Sequence, residues 1–142
     1  MVRLASECIC RSRTTAAAVV GAHAGSVSAA LSGLPMEVLP NPAWEEGMAS
    51  SIRVAVSWAE QHQSDALLLA LCDQPRLTTA HLDRLIAEFE RTGLPVASHY
   101  ADKSAVPALF PRSLFLALAR LSGSRAVRIT KNTLVVPSDP CA

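Results

Sequence analysis

The stretch ALLLALCDQP (residues 66–75) is the strongest structural signal in the sequence. Every residue from Ala66 to Cys72 is apolar, which is typical of a strand covered by other elements on both faces. Strands of this kind lie in sheets between two layers of helices. The stretch therefore predicts a central strand over 66–72 that carries Asp73 at its carboxyl end.

Strand-like and helix-like segments alternate on both sides of this stretch. Further strands are predicted at 14–22, 36–40, 96–101, 106–110 and 133–137, and helices at 2–13, 24–33, 47–62, 79–89 and 112–121, with weak helical character at 124–131. Ser50 and Ser51 mark the expected start of the helix at 47–62, and Thr79 is the expected cap of the helix that runs through Phe89. The alternation predicts a single α/β domain over residues 1–142 with a mostly parallel sheet.

Composition excludes several classes of protein. The chain has 142 residues, of which 50% are hydrophobic and 18% charged, so intrinsic disorder is excluded as the main description. A net charge of +1 argues against nucleic acid as the main partner, because that binding needs a basic face. No apolar run approaches the roughly 20 residues that span a bilayer, and the first residues do not resemble a secretory signal. These features predict a cytoplasmic protein that does not bind a membrane.

The residues of metal and nucleophile chemistry do not form familiar motifs. The cysteines have neither zinc-knuckle nor Cys-x-x-Cys spacing, and no Gly-x-Ser-x-Gly elbow accompanies the histidines. The residues concerned are Cys8, Cys10, Cys72, Cys141, His23, His62, His81 and His99. A structural zinc site and a hydrolase triad therefore have no support in the sequence.

Asp73 is the first candidate for chemistry. In open α/β sheets, ligands bind outside the carboxyl ends of the strands, where this carboxylate is expected. Oxygen ligands are those that Mg²⁺ prefers, so Asp73 is a candidate metal ligand and catalytic residue. The alternative is that Asp73 only caps the turn before the next helix, since Asp is a common turn residue.

The block NPAWEEGMASSIRVAV (residues 41–56) contains the second candidate site. Gly47 would let a ligand approach the backbone closely, and Ser50 and Ser51 offer hydroxyls at a helix N-terminus. Such a site suits an anion or the polar edges of a base or ribose. The alternative is plain N-capping by Ser50, with Glu45 and Glu46 as solvated charges near the positive end of the helix.

Four segments together resemble a known family over nearly the whole chain. They are VVGAH (19–23), NPAWEEGMASSI (41–52), LLLALCDQPRLT (67–78) and VPALFPRSLF (106–115). In this order and spacing they resemble the MobA-like nucleotidyltransferases, which include the molybdenum-cofactor cytidylyl- and guanylyltransferases.

The resemblance implies a fold and an activity. The expected fold is a three-layer α/β/α Rossmann-like domain. The expected activity is Mg²⁺-dependent transfer of a nucleoside monophosphate from CTP or GTP to a phosphorylated acceptor such as molybdopterin, in molybdenum cofactor biosynthesis. Asp73 matches the family's Mg²⁺-binding aspartate, and Gly47 and Ser51 match positions that hold the base and ribose. CMP is favoured over GMP, because the Asp-Gln-Pro and Asn-Pro-x-Trp-x-x-Gly-Met blocks look more like the cytidylyl side.

The sequence departs from the family at its start. Members open with a strand, a glycine-rich loop of the type Leu-Ala-Ala-Gly-x-Ser-x-Arg-x-Gly and a Lys, whereas Met1 falls on the helix that should follow the Lys. We therefore expect an N-terminally truncated member that lacks the family's first strand. The strands at 14–22 and 66–72 would then have unpaired inner edges.

A second departure lies near the other end of the chain. The family's Gly-Asp-x-Gly-Ala-Arg appears as GSRAVR (123–128), which keeps Gly123 and Arg128 and leaves Arg128 a possible site residue. We expect little or no transferase activity from the chain as given, because loss of even one preorganised donor costs on the order of 10²–10³ in rate. The alternative function is an inactive nucleotide-binding or partner-binding module that has lost its phosphate loop.

The assignment of Asp73 gives a first prediction. If Asp73 holds the metal ion, Asp73→Ala should weaken Mg²⁺-dependent binding of CTP or GTP at least tenfold, because the ion loses its protein ligand. Calorimetric titration with and without Mg²⁺ measures this. An unchanged affinity would remove Asp73 from the metal site.

Overall fold

A computed structural model describes residues 15–71, 77–100, 103–122 and 134–137 of the chain. The strands are β1 Ala16–Val20, β2 Met36–Pro40, β3 Ala66–Leu69, β4 Val96–Tyr100, β5 Lys103–Pro111 and β6 Leu134–Pro137. The helices are α1 Ala24–Ala30, α2 Met48–Gln61, α3 Thr79–Thr92 and α4 Phe115–Ala119, with short 3₁₀ turns at Trp44–Glu46 and Arg112–Leu114. Within the described ranges, no helix is long and apolar enough to cross a membrane.

The alternation of strands and helices is confirmed, but the bounds differ. The strand predicted at 66–72 ends at Leu69, the one predicted at 106–110 begins at Lys103, and the helix ends also differ. Helix α2 begins at Met48 with Gly47 as its N-cap, so Ser50 and Ser51 lie inside the first turn and do not precede it. Helix α3 is capped by Thr78, one residue earlier than expected, because the Thr78 hydroxyl accepts a hydrogen bond from the His81 amide at 3.1 Å. Its end is set by Gly93, whose φ of 69° is left-handed. The helices predicted at 2–13 and 124–131 lie outside the described residues.

The described strands form a parallel pair and a four-stranded mixed sheet, which differs from the mostly parallel sheet expected from the sequence. Strands β1 and β2 are parallel, and the others lie in the order β3-β5-β4-β6. Strand β5 runs antiparallel to both β3 and β4. The reason is the connection between β4 and β5, which spans only residues 101–102. So short a link permits a hairpin but not the crossover that parallel strands need.

The two groups of strands are not joined by hydrogen bonds in the described part of the chain. There, β1 pairs only with β2, and β3 pairs only with β5. Among the described residues, β3 is therefore an outer strand of its sheet and not the central strand that the apolar run predicted. Helix α2 contacts both β1 and β3, and Val19 of β1 packs against the core that contains Leu67 of β3. Side-chain packing beneath α2 therefore connects the two groups.

Two apolar cores lie on opposite faces of the sheet. One contains Ile52 and Val56 of α2 together with Phe115 of α4, and the other contains Leu82 and Leu85 of α3. Neighbouring strand residues divide between them, since Leu67 belongs to the first core and Leu68 packs against the second. Because successive side chains of a strand point to opposite faces, α2 and α4 cover one face and α3 covers the other. The expected three-layer α/β/α arrangement is confirmed.

A buried polar chain fixes the first turn of α3 to the sheet. Ser98 Oγ donates to the Pro107 carbonyl oxygen at 2.6 Å. His81 Nε2 lies 2.7 Å from Ser98 Oγ and must therefore donate to it, since the serine proton is committed. The other ring nitrogen of His81, Nδ1, then accepts from Arg84 at 3.3 Å. His81 and Ser98 are 3% and 0% exposed, so these bonds satisfy groups that water does not reach.

The core beneath α3 yields a stability prediction with a matched control. Leu85→Ala should lower the free energy of unfolding by about 2–5 kcal/mol, because Leu85 is fully buried and its loss leaves a cavity. Leu116→Ala should change it by less than about 0.5 kcal/mol, since Leu116 is 63% exposed. Urea denaturation of both variants measures the difference. Equal losses would contradict the packing of α3 against the sheet.

Candidate functional site

The Asn41 side chain organises the carboxyl end of β2. Its amide nitrogen Nδ2 donates to Ser50 Oγ at 2.9 Å and to Ser51 Oγ at 3.0 Å. Its oxygen Oδ1 accepts from the Ala43 backbone amide at 3.1 Å. The backbone amide of Asn41 donates to the Val20 carbonyl at 2.8 Å, which continues the β1–β2 pairing by one step. One carboxamide, only 3% exposed, therefore ties the strand end to both the following turn and the first turn of α2.

Gly47 joins the Trp44–Glu46 turn to α2 in a conformation that requires glycine. Its φ is 102° and its ψ is −172°, a region that residues with a Cβ essentially do not occupy. The carbonyl of Gly47 then accepts from the Ser50 hydroxyl at 2.7 Å and from the Ser50 amide at 3.2 Å. The glycine predicted from the sequence as a close-approach position is thus also required by the turn.

The two predicted serines have different roles in this turn. Ser50 is 2% exposed, and its hydroxyl both donates to Gly47 and accepts from Asn41. Ser51 is partly buried, and its oxygen accepts from Asn41. Among the contacts of the described residues, the Ser51 hydroxyl proton has no acceptor. Ser51 is therefore the serine with a donor to offer a ligand, while Ser50 holds the turn in shape.

Arg53 holds the turn from the other side. Its guanidinium donates to the Glu46 carboxylate at 2.5 Å and to the Leu121 carbonyl at 3.0 Å. Glu46 is a solvated charge, as the capping alternative expected, and it also forms an ion pair with Arg53. Since that pair is largely exposed, it contributes less than about 1 kcal/mol to stability. Its main effect is to fix the direction of the Trp44–Glu46 turn.

Gly21, at the end of β1, allows the Trp44 side chain to lie directly on the backbone. A Cβ placed on Gly21 would be 2.7 Å from the Trp44 Cβ, closer than such atoms approach in proteins. The turn after β2 is thereby pressed against the end of β1. The carboxyl ends of both strands and the N-terminus of α2 meet here, as expected for a ligand site of an α/β sheet.

The residues from Gly47 to Ser51, at the N-terminus of α2, form what we call the Gly47–Ser51 corner. The electrostatics of this corner favour electronegative ligand atoms. The first turn of α2 contains no acidic residue. Glu45 and Glu46 lie just before its N-cap, and Arg53 pairs with Glu46, so only part of the positive end of the helix dipole is offset. The Ser51 hydroxyl adds a neutral donor. The corner can bind and orient a polar ligand.

An open groove of about 440 Å³ lies beside this corner, between β2 and α2. Asn41 and Ser50 form part of its wall, whereas Gly47 and Ser51 do not line it. Trp58 and Glu37 also line this groove, and the Trp58 indole nitrogen donates to the Glu37 carboxylate at 2.7 Å. The groove and the Gly47–Ser51 corner therefore share one wall and have different openings.

The other two predicted site residues, Asp73 and Arg128, lie outside the described residues. In the described part of the chain, no group of three or more His, Cys, Asp or Glu side chains could hold a metal ion. Gly47, Ser50 and Ser51 are thus the predicted residues that the structure brings together.

Sequence reasoning missed three residues of this corner: Asn41, Gly21 and Arg53. The signal for Asn41 was present, because Asn directly after a strand and before Pro42 is a common turn former with a side chain able to bond nearby backbone. Gly21 and Arg53 act on residues distant in sequence, namely Trp44 and Leu121. A single sequence contains no local signal for such contacts.

Comparison with known proteins places the fold among solved structures. The model of the MobA-like NTP transferase domain matches residues 3–135. The crystal structure of Rv0371c from Mycobacterium tuberculosis H37Rv is similar with a TM-score of 0.76 and 28% identity, covering 99% of this chain and 76% of that one. The structure of Rv0371c in complex with manganese gives a TM-score of 0.72 and 29% identity, covering 96% of this chain and 77% of that one.

A homologue of Rv0371c from Mycobacterium sp. strain JC1 is similar in fold. Its TM-score is 0.77 at 22% identity, with 97% of this chain and 72% of that chain covered. No curated protein sequence matches the chain significantly.

The unequal roles of the two serines give a testable prediction. Ser50→Ala should lower the free energy of unfolding by about 1–3 kcal/mol, because it removes the hydroxyl bond to the Gly47 carbonyl and leaves an Asn41 N–H without a partner in a buried place. Ser51→Ala should cost less than about 1 kcal/mol, since the partly buried Asn41 N–H it releases can reach water. Chemical denaturation of the two variants tests this, and a greater loss for Ser51→Ala would contradict the assignment.

Proposed function

Because the chain belongs to the MobA-like NTP transferase domain family, we propose that the Gly47–Ser51 corner binds a nucleoside triphosphate for transfer of its nucleoside monophosphate to a phosphorylated acceptor. The observation that carries the proposal is the Ser51 hydroxyl, which is positioned by Asn41 with its proton uncommitted among the described contacts. It lies in the first turn of α2, next to a glycine without a Cβ to obstruct a ligand.

Each residue of the corner has a distinct part in nucleotide binding. Gly47 lets the base and ribose approach the backbone, and Ser51 donates to an oxygen or ring nitrogen of the nucleoside. Ser50 belongs to the same site but acts beneath the surface, through its bonds to Gly47 and Asn41. A preorganised donor of this kind loses little entropy on binding, so its hydrogen bond contributes more of its strength to affinity.

The transfer requires positioning more than covalent chemistry by the protein. A phosphate oxygen of the acceptor attacks the α-phosphorus of the triphosphate and forms a new P–O bond. The bond from the α-phosphorus to the bridging oxygen breaks, and pyrophosphate leaves with that electron pair. The Gly47–Ser51 corner is expected to contribute by positioning: it holds the nucleoside so that the attacking and leaving oxygens lie in line.

Asp73 would hold a divalent cation, for which we propose Mg²⁺. A single carboxylate suits this ion, because Mg²⁺ at nucleotide sites takes one or two protein carboxylates and completes its shell with phosphate oxygens and water. When bound, the ion would neutralise charge on the triphosphate. The Rv0371c structure with manganese supports a divalent ion in a similar protein. Arg128 would be a further partner for phosphate charge.

The nucleotide and the acceptor follow from the sequence resemblance. Asp-Gln-Pro at 73–75 and Asn-Pro-x-Trp-x-x-Gly-Met at 41–48 favour CTP over GTP, and the same resemblance suggests molybdopterin as the acceptor. A second function is an inactive module that has the same nucleotide-binding corner. In that case the chain binds a nucleotide or a partner without turning it over.

Calorimetric titration with CTP and GTP, with either Mg²⁺ or Mn²⁺ or neither, tests the proposal. We expect metal-dependent binding that is tighter for CTP. Ser51→Ala should weaken it about 3- to 10-fold, the usual value of one hydrogen bond. Ser57→Ala, farther along α2 and lining the neighbouring groove, is the matched control and should leave the affinity unchanged.

The outcomes separate the two functions. Binding together with pyrophosphate release in the presence of molybdopterin would establish the transferase. Binding of nucleotide without release would favour the non-catalytic module. Absence of binding to both nucleotides with either metal ion would contradict the proposed site.

A further inference from the structure

Trp44 is an exposed aromatic side chain in a position that the turn holds firmly. It lies in the 3₁₀ turn between Asn41 and Gly47, and 44% of its surface is accessible. Met48, four residues later in the first turn of α2, is also 44% exposed. Two large apolar side chains thus face solvent on the segment that carries the nucleotide site.

Three contacts restrain the backbone around Trp44 and its Cβ atom. Asn41 holds the residue before it through the Ala43 amide, and Arg53 holds the turn through Glu46. The third restraint is Gly21, whose backbone the Trp44 Cβ contacts so closely that no larger residue fits there. An indole anchored in this way presents a flat surface without losing much freedom when a ligand stacks on it.

The sequence position of Trp44 relates this surface to the nucleoside. It precedes Gly47 by three residues, and its carbonyl accepts the Gly47 amide at 3.1 Å. The same turn therefore determines the positions of the indole, the Gly47 backbone and the Ser51 hydroxyl. A nucleobase is a planar aromatic group with polar edges, which matches an exposed aromatic face and a hydroxyl donor carried on one short segment.

We propose that the Trp44 indole is the stacking surface for the nucleobase at this site. The inference rests on the proposed function and adds a residue to it. Ser51 donates to the polar groups of the nucleoside, while Trp44 supplies affinity that depends on the presence of a base but little on which base it is. Discrimination between CTP and GTP must then come from groups other than Trp44.

Fluorescence provides a direct test, because the chain has two tryptophans, Trp44 and Trp58. In Trp58→Phe, Trp44 is the single indole, and CTP or GTP with Mg²⁺ should quench it in a saturable way. Tripolyphosphate with Mg²⁺, which has no base, should leave the emission unchanged. In the reciprocal variant Trp44→Phe, the emission of Trp58 should respond to none of these ligands.

Calorimetry with matched variants gives the second measurement. Trp44→Ala should weaken binding of CTP and GTP about tenfold or more, within the range of base stacking on aromatic side chains. Trp44→Phe should retain most of the affinity, and neither variant should change binding of tripolyphosphate. Leu94→Ala is the control, because Leu94 is 42% exposed and lies before the amino end of β4, away from the site.

The possible results distinguish this inference from the proposed function. Nucleotide binding that is unaffected by Trp44→Ala would overturn the stacking role and leave the Gly47–Ser51 site standing. Equal weakening of nucleotide and tripolyphosphate would also overturn it, since the effect would then not depend on the base. Absence of any nucleotide binding in the wild-type protein would overturn both.

Discussion

The site depends on how the Asn41 carboxamide distributes its hydrogen bonds. Asn41 lies where β2 ends, and its side chain bonds to Ala43, Ser50 and Ser51. Its backbone at the same time extends the pairing between β1 and β2. Because the side chain is buried, these bonds are made largely away from competing water, and loss of the buried Ser50 hydroxyl leaves a polar group unsatisfied. The position of α2 relative to β2 is therefore set by one residue.

The other features of the corner follow from that constraint. The chain must turn from Pro42 into α2 within a few residues, which places Gly47 in a conformation open only to glycine. The Ser50 hydroxyl makes all its hydrogen bonds within the turn, whereas the Ser51 hydroxyl remains able to donate to a ligand. Trp44 is pressed onto Gly21, so the same turn carries an exposed aromatic face. Structural roles and proposed ligand-binding roles thus alternate along one short segment.

Much of the fold was predictable from the sequence, because its signals are local. The apolar run at 66–72 and the Pro and Gly residues between segments located the strands, and the apolar spacing of Leu82, Leu85 and Ile86 located α3. The antiparallel direction of β5 was missed, since the sequence suggested two separate strands where the chain forms a hairpin with a two-residue link. The capping residue of α2 was missed because serine is a common N-cap, whereas here Gly47 takes that position.

The candidate site was only partly accessible to the same reasoning. The sequence identified Gly47, Ser50 and Ser51 as a group but could not assign different roles to the two serines. That difference comes from Asn41, nine residues before Ser50, and from the depth at which each hydroxyl is buried. Arg53 and Gly21 were not identifiable, because their partners are brought near only by the folded chain.

The most direct test of this account is the position of bound nucleotide on the protein. The 15.0 kDa chain is small enough for amide-resolved NMR, with CTP and Mg²⁺ titrated into isotope-labelled protein. The account predicts that the largest shifts among the described residues fall on the amides from Ala43 to Ser51 and on Gly21. Shifts concentrated at the opposite edge of the sheet, around Gly93 and Leu94, or no shifts at saturating nucleotide, would contradict it.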